Sequence, residues 1–283
     1  MISPELITGC LAKFDSFDIS QQQVEQYHRL VGSKNPYIIY FTPRSGSSYL
    51  ADLLTTSHAF GAPGEFLTAS LMDLTLKDMR DNGYSGSTIV DYFSWLIQKW
   101  SSENGAFGFK VSYFDYEPLI HSGLDKLLFR GFKPVLLLRK NILKQAMSLY
   151  IAVESGLFHT NIPVSEDSRT KAKSLPYDRA KIRYWIKHIA VQEVAFEKYL
   201  EPDDMNCLAL DYDGISSSPA DVLRSIARHL DAEFPEDLKV GASVFQKVRT
   251  ENNERLMAMF LADESNGLYL LELGLDKSRL VGE

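Results

Sequence analysis

The sequence predicts an α/β fold in three layers: a central, mostly parallel sheet flanked by helices. Three observations lead there. Short apolar runs at 37–41, 106–113, 134–138 and 206–210 have the length and residue types of buried strands. Stretches with apolar residues at helical spacing lie between them. Strand alternating with helix selects a parallel sheet, because a parallel neighbour can be reached only by a crossover, usually a helix.

The elements follow in order. Residues 1–19 show no clear period. SQQQVEQYHRLV (20–31) reads as a helix, with Ser20 as N-cap and Gly32 as stop, so a helical extension occupies about 1–33. Tyr37–Phe41 (YIIYF) is the central strand. Thr42–Ser48 holds Pro43, Gly46 and three serines and is a turn; Tyr49, Leu50, Leu53 and Leu54 then open a helix. HAFGAPGEFL (58–67) is a Gly- and Pro-rich loop carrying Glu65. Helices are expected over 69–82 and 87–99, the second with Ile89, Phe93 and Leu96 on one face, which puts Trp95 and Trp100 in the core or at an interface.

AFGFKVSY (106–113) is a strand with Lys110 inside it. A short helix at 124–129 leads to PVLLL (134–138), a strand that ends at Arg139. Asn141 opens a long helix that closes near Gly156. The polar stretch 159–176, with two prolines, reads as an irregular loop, and 177–200 as a long amphipathic helix. NCLAL (206–210) is a strand ending at Asp211 and Tyr212; Ser218 and Pro219 open another helix. Residues 242–261 are helix or loop, with a polar knot, RTENNER, at 249–255. No repeat, low-complexity tract or linker divides the chain, so the expectation is one domain over 1–283.

Composition is ordinary for a globular chain, with 45% hydrophobic and 24% charged residues. A net charge of −7 weighs against nucleic acid or an anionic membrane as partner. Cys10 and Cys207 sit in no metal or redox spacing, and no His/Cys/Asp cluster calls for a metal. With neither a signal peptide nor an apolar run of about 18 residues, the expected place is the cytoplasm, with no membrane span.

The chemistry concentrates at strand tips. A helix starting at 47–49 turns free backbone N–H groups and its positive dipole end into the 42–48 loop, which makes an anion site. Arg44 adds a guanidinium that grips phosphate or sulfate in a fork, and Ser45, Ser47 and Ser48 add hydroxyls. The triphosphate pattern GxxxxGK[ST] is absent, so a magnesium-bound triphosphate is not the expected anion. The plainer alternative is a turn whose serines only cap the helix.

Arg139 offers a second grip. Asn141, Gln145 and Ser148 share one face of a helix that is otherwise mostly apolar, and a buried polar row wants a partner. Alternatively Asn141 caps the helix and Ser148 bonds back to its own turn. Ligands of parallel sheets sit at the carboxyl ends of strands, so both grips can share one crevice. Two grips fit a nucleotide charged at both ends of its ribose, such as 3′-phosphoadenosine 5′-phosphosulfate (PAPS). Lys110 reads either as a site residue or as an edge lysine reaching water.

YIIYFTPRSGSSYL, then GEFL, then VLLLRKNILKQAMSLY resembles the bacterial sulfotransferases typified by trehalose 2-sulfotransferase, over roughly 36–255. It is less similar to the cytosolic sulfotransferases of animals, whose loop carries Lys where this one has Arg44. The resemblance implies a P-loop-like sulfotransferase architecture, PAPS as donor, no metal, a sugar, glycolipid or polysaccharide hydroxyl as acceptor, and a homodimer. It assigns the 5′-phosphosulfate to Arg44, Ser45, Gly46, Ser47, Ser48 and Tyr49, and the 3′-phosphate to Arg139 and Ser148. Glu65 matches the family's general base, and Lys110 matches a strand lysine, read here as substrate-binding. Ser48 stands where the family often has Thr, and 249–255 matches only loosely. His58 is the competing base. Two other readings remain: a P-loop small-molecule kinase, with Asp211 ordering magnesium, and a catalytically silent nucleotide-binding protein.

Overall fold

A computed structural model describes residues 5, 7–14, 16–158, 165–201, 206–233, 251–275 and 278–281. After a 3-10 turn at Gly9–Lys13, helix α1 (Gln21–Gly32) starts on a full capping box: the Ser20 hydroxyl accepts from Gln23 N, and the Gln23 side chain accepts from Ser20 N. Such a box satisfies two orphan donors, and its capping side chain is typically worth about 1 kcal/mol. Then come β1 (Asn35–Phe41), α2 (Ser47–Thr56), α3 (Ala69–Asp81) and α4 (Ile89–Trp100). They are followed by β2 (Ala106–Val111), α5 (Tyr113–Ser122), α6 (Leu124–Leu128), β3 (Lys133–Leu138) and α7 (Ile142–Ser155). The chain continues with α8 (Glu166–Ser174), α9 (Arg179–Leu200), β4 (Leu208–Asp211), α10 (Tyr212–Ser217) and α11 (Pro219–Leu230). Helices α12 (Glu251–Ala262), α13 (Ser265–Glu272) and α14 (Ser278–Val281) complete it.

The four strands pair in parallel in the order β2-β1-β3-β4. From β1 the chain first builds outward to β2, then returns to add β3 on the other side. The switch point therefore lies between β1 and β3, and in such sheets ligands sit there, outside the strands' carboxyl ends. Alternation along β1 divides the core. Ile38 and Tyr40 face a cluster with residues of α1, α4, α5 and α9, while Tyr37, Ile39 and Phe41 face α2 and α11. A third cluster joins α7, α8, α9, α12 and α13.

Several expectations are corrected. The stretch 159–176 is not loop throughout: Glu166–Ser174 is helical, capped by the Ser165 hydroxyl accepting from Ser168 N, and residues 159–164 lie outside the described residues. The second strand stops at Val111, because Ser112 caps α5, whose Pro118 and weak apolar period hid it from sequence. Lys110 is not an edge lysine reaching water: it is buried, and the segment at Gly64 pairs alongside β2 at Phe109. Val194, on the expected apolar face of α9, is 46% exposed. Of the 249–255 knot, Asn252 and Arg255 bind the Leu175 carbonyl and tie α12 to the end of α8; residues 249–250 lie outside the described residues.

Candidate active site

Buried β1 ends at Phe41, and the next residues cannot continue a strand. Arg44 takes a positive φ of 67°, and Gly46 one of 96°. Gly46 caps α2 without a side-chain bond, so the first N–H groups of that helix point into the loop uncapped. A Cβ at Gly46 would stand 2.4 Å from Cδ2 of Tyr212, so the ring leaves room only for glycine. The loop is held from behind by Gln145, whose amide donates to Thr42 Oγ1 and to the Pro43 carbonyl, both at 2.8 Å. Asn141 caps α7 by accepting from Lys144 N at 2.7 Å.

The two arginines meet. Arg139, just past β3, donates from Nη1 to the Arg44 carbonyl at 3.3 Å, and its guanidinium carbon lies 4.8 Å from the Tyr212 ring centroid. The Arg44 guanidinium donates from Nε to Ser148 Oγ at 3.1 Å and from Nη1 to the Phe158 carbonyl at 2.7 Å. Ser148 is thus turned to Arg44 rather than back to its own turn. Among the described residues, neither guanidinium has a carboxylate at ion-pair distance.

Burial, then the neighbouring charge of Arg139, lowers the pKa of Arg44, against a pull from Tyr212. Burial lowers that of Arg139, with Tyr212 and Asp213 opposing. Two half-buried like charges with no carboxylate at ion-pair distance among the described residues favour an anion nearby. Ser45 Oγ and Gln145 Oε1, both buried in the same place, have no hydrogen-bond partner among the described residues. Buried polar atoms of that kind want a ligand. Ser47 is buried, and Ser48 and Tyr49 are half-buried on the first turn of α2.

Glu65, on the loop after α2, is joined to β2 through Lys110. The Gly64 carbonyl accepts from Lys110 N at 2.9 Å, and the Glu65 carboxylate accepts from Lys110 Nζ. Glu65 is 36% exposed and Lys110 8%. His58 is exposed beyond the far end of α2. Ten residues of helix put it about 15 Å from the loop, which removes it as the competing base. Asp211, the kinase reading's metal-ordering residue, is spent as a cap: its Oδ1 accepts from Asp213 N and Gly214 N, each at 2.9 Å. Among the described residues no group of three His, Cys, Asp or Glu could hold a metal ion. No helix among them is long and apolar enough to cross a membrane.

Sequence reasoning missed Tyr212 and the Phe158 carbonyl. Tyr212 carried a signal, since it follows a strand tip; a backbone carbonyl beyond a helix end carries none.

A helix start with no side-chain cap, beside two guanidiniums that have no carboxylate at ion-pair distance among the described residues, is an arrangement suited to anionic groups. The comparisons with known proteins name the class: the chain belongs to the Stf0 sulphotransferase family, which matches residues 36–263. The fold is similar to that of a sulfotransferase domain from the olefin synthase of Synechococcus PCC 7002, at 16% identity and a TM-score of 0.48, covering 88% of this chain and 95% of that one. It is also similar to a sulfotransferase from Alicyclobacillus acidocaldarius, at 17% identity and a TM-score of 0.44, covering 87% and 98%. A sulfotransferase domain from the curacin biosynthetic pathway aligns at 14% identity and a TM-score of 0.44, covering 86% and 99%. No curated protein matches the chain.

Proposed function

We propose that this sulfotransferase takes its sulfuryl group from PAPS and passes it to a hydroxyl of a sugar, glycolipid or polysaccharide. One observation supports the donor half: the cradle after β1 and the arginine after β3 adjoin, linked by the bond from Arg139 to the Arg44 carbonyl. A donor with anionic groups at both ends of its ribose matches two such grips. The acceptor half rests on the motifs alone.

The bound donor supplies a sulfur that gains a bond to the acceptor oxygen as its bond to the 5′-phosphate oxygen breaks, the electron pair staying with that phosphate. Arg44 and the N–H groups at the start of α2 hold the 5′ end and meet the charge that grows there. Ser45, Ser47, Ser48 and Tyr49 line the same turn. Arg139 and Ser148 hold the 3′-phosphate. Glu65 accepts the acceptor's hydroxyl proton, which contributes roughly 10²–10⁴-fold.

The test is thermal shift with 3′-phosphoadenosine 5′-phosphate, adenosine 5′-phosphate and magnesium ATP. At about 100 times its Kd a ligand adds about 2.7 kcal/mol to stability. The bisphosphate is expected to raise Tm by several degrees and the other two by much less. An equal or larger shift with magnesium ATP would return the kinase reading.

A further inference from the structure

Lys110 has a charge to account for. Every other residue of its strand, AFGFKV, is apolar or glycine, and its side chain is 8% exposed. An ammonium buried there alone would cost several kcal/mol. Two groups receive it. Nζ donates to Oε1 of Glu65 and lies 5.2 Å from the centroid of the Phe41 ring, whose face attracts a cation.

Both partners are fixed to the sheet. Lys110 registers with Ile39 of β1, and the sheet face it shares with Ile39 and Phe41 is the one covered by α2. Ion pair and anion cradle thus lie toward the same side of the sheet. On the other partner, Lys110 N–H holds the Gly64 carbonyl, so the residue before Glu65 is fastened along β2. A negative neighbour is close by: Asp115 has its carboxyl pushed up by burial, against a Ser112 hydrogen bond, with Glu65's charge adding. With 36% of its side chain exposed, Glu65 keeps an open side for a hydroxyl.

We infer that Lys110 is the positioning residue of the candidate base: anchored in β2, it holds the Glu65 carboxylate aimed at the acceptor. The inference rests on Glu65 as base, and it gives Lys110 a different task from touching substrate. It also explains how a glutamate on a Gly- and Pro-rich loop could serve as base. A positioning error of about 1 Å can cost about 10²-fold in rate, and a loop without a tether has more freedom than that.

The experiment uses the whole chain and water as acceptor, reading sulfate released from PAPS, with trehalose as a second probe acceptor. The variants are Lys110→Met, Glu65→Gln and the pair together; Lys110→Gln replaces Lys110→Met if the latter melts early. Lys110→Met is expected to lower kcat about 10- to 100-fold while KM for PAPS stays within about twofold. In the Glu65→Gln background the same change should cost less than about threefold, since no base remains to be aimed. Amide exchange over residues 64–68 should rise about tenfold or more. Wild-type kcat in Lys110→Met would overturn the inference. So would a loss carried by KM for PAPS, which would mean a grip on the donor, or costs that simply multiply in the pair. Wild-type turnover in Glu65→Gln would instead sink the base assignment, and with it the object of the clamp.

Discussion

Replacing Gly46 by alanine tests the cradle where it is tightest. The new Cβ would meet Tyr212 at 2.4 Å from Cδ2 and 2.9 Å from Cε2, closer than any carbon pair tolerates. The ring cannot retreat without consequence, because the Arg139 guanidinium lies over it at 4.8 Å. The backbone adds its own objection: φ is 96° and ψ 11°, a region that alanine avoids. Left-handed strain costs about 1–2 kcal/mol, and overpacking about 1–3 kcal/mol. A loss of about 2–5 kcal/mol in native-loop stability is therefore expected, seen in a scan as a fall of about 4 °C or more in Tm. If the loop gives way instead, the N–H groups turn aside and the bisphosphate nucleotide binds at least about tenfold more weakly by calorimetry. The double variant Gly46→Ala/Tyr212→Ala removes the clash and leaves only the φ strain, so it should recover roughly half of the lost stability. A Gly46→Ala protein with unchanged Tm and nucleotide affinity would refute the account of the loop.

Other outcomes follow from the same geometry. Arg139→Ala should weaken 3′-phosphoadenosine 5′-phosphate about 10- to 100-fold, the worth of one charge-assisted contact, and adenosine 5′-phosphate far less; equal losses in calorimetry would put the 3′-phosphate elsewhere. Glu65→Gln should keep nucleotide affinity and lose roughly 10²–10⁴-fold in turnover, measured as sulfate release. Glu193 predicts a pH dependence of stability. Burial pushes its carboxyl from an ordinary 4.5 up to about 7, against the Arg279 guanidinium and with Glu197 adding. A carboxyl that binds its proton more tightly when folded stabilises fully below its unfolded pKa, and that contribution is lost as pH rises through the folded value. Tm should therefore fall between about pH 4.5 and 7 more steeply in the wild type than in Glu193→Gln; identical slopes would contradict this.

The sequence by itself determined the strands and most of the helices, because those rest on local chemistry. An apolar run followed by TPRSGSS can hardly be anything but a strand and a turn, and Ser20 with Gln23 writes its own helix start. Helix α5 was illegible because Pro118 and its mixed faces blur the period, and α8 because a helix of charged residues has no apolar stripe to betray it.

Tertiary structure alone decided who meets whom. Arg44 and Ser148 are 104 residues apart in sequence, and Lys110 and Glu65 are 45 apart. What joins them is the strand order, which puts β1 between β2 and β3 and so gathers three strand tips. Strand order is a property of packing summed over the whole sheet, not of any one segment. The sequence could place a lysine in a strand, but only the fold could supply the carboxylate that makes its burial affordable.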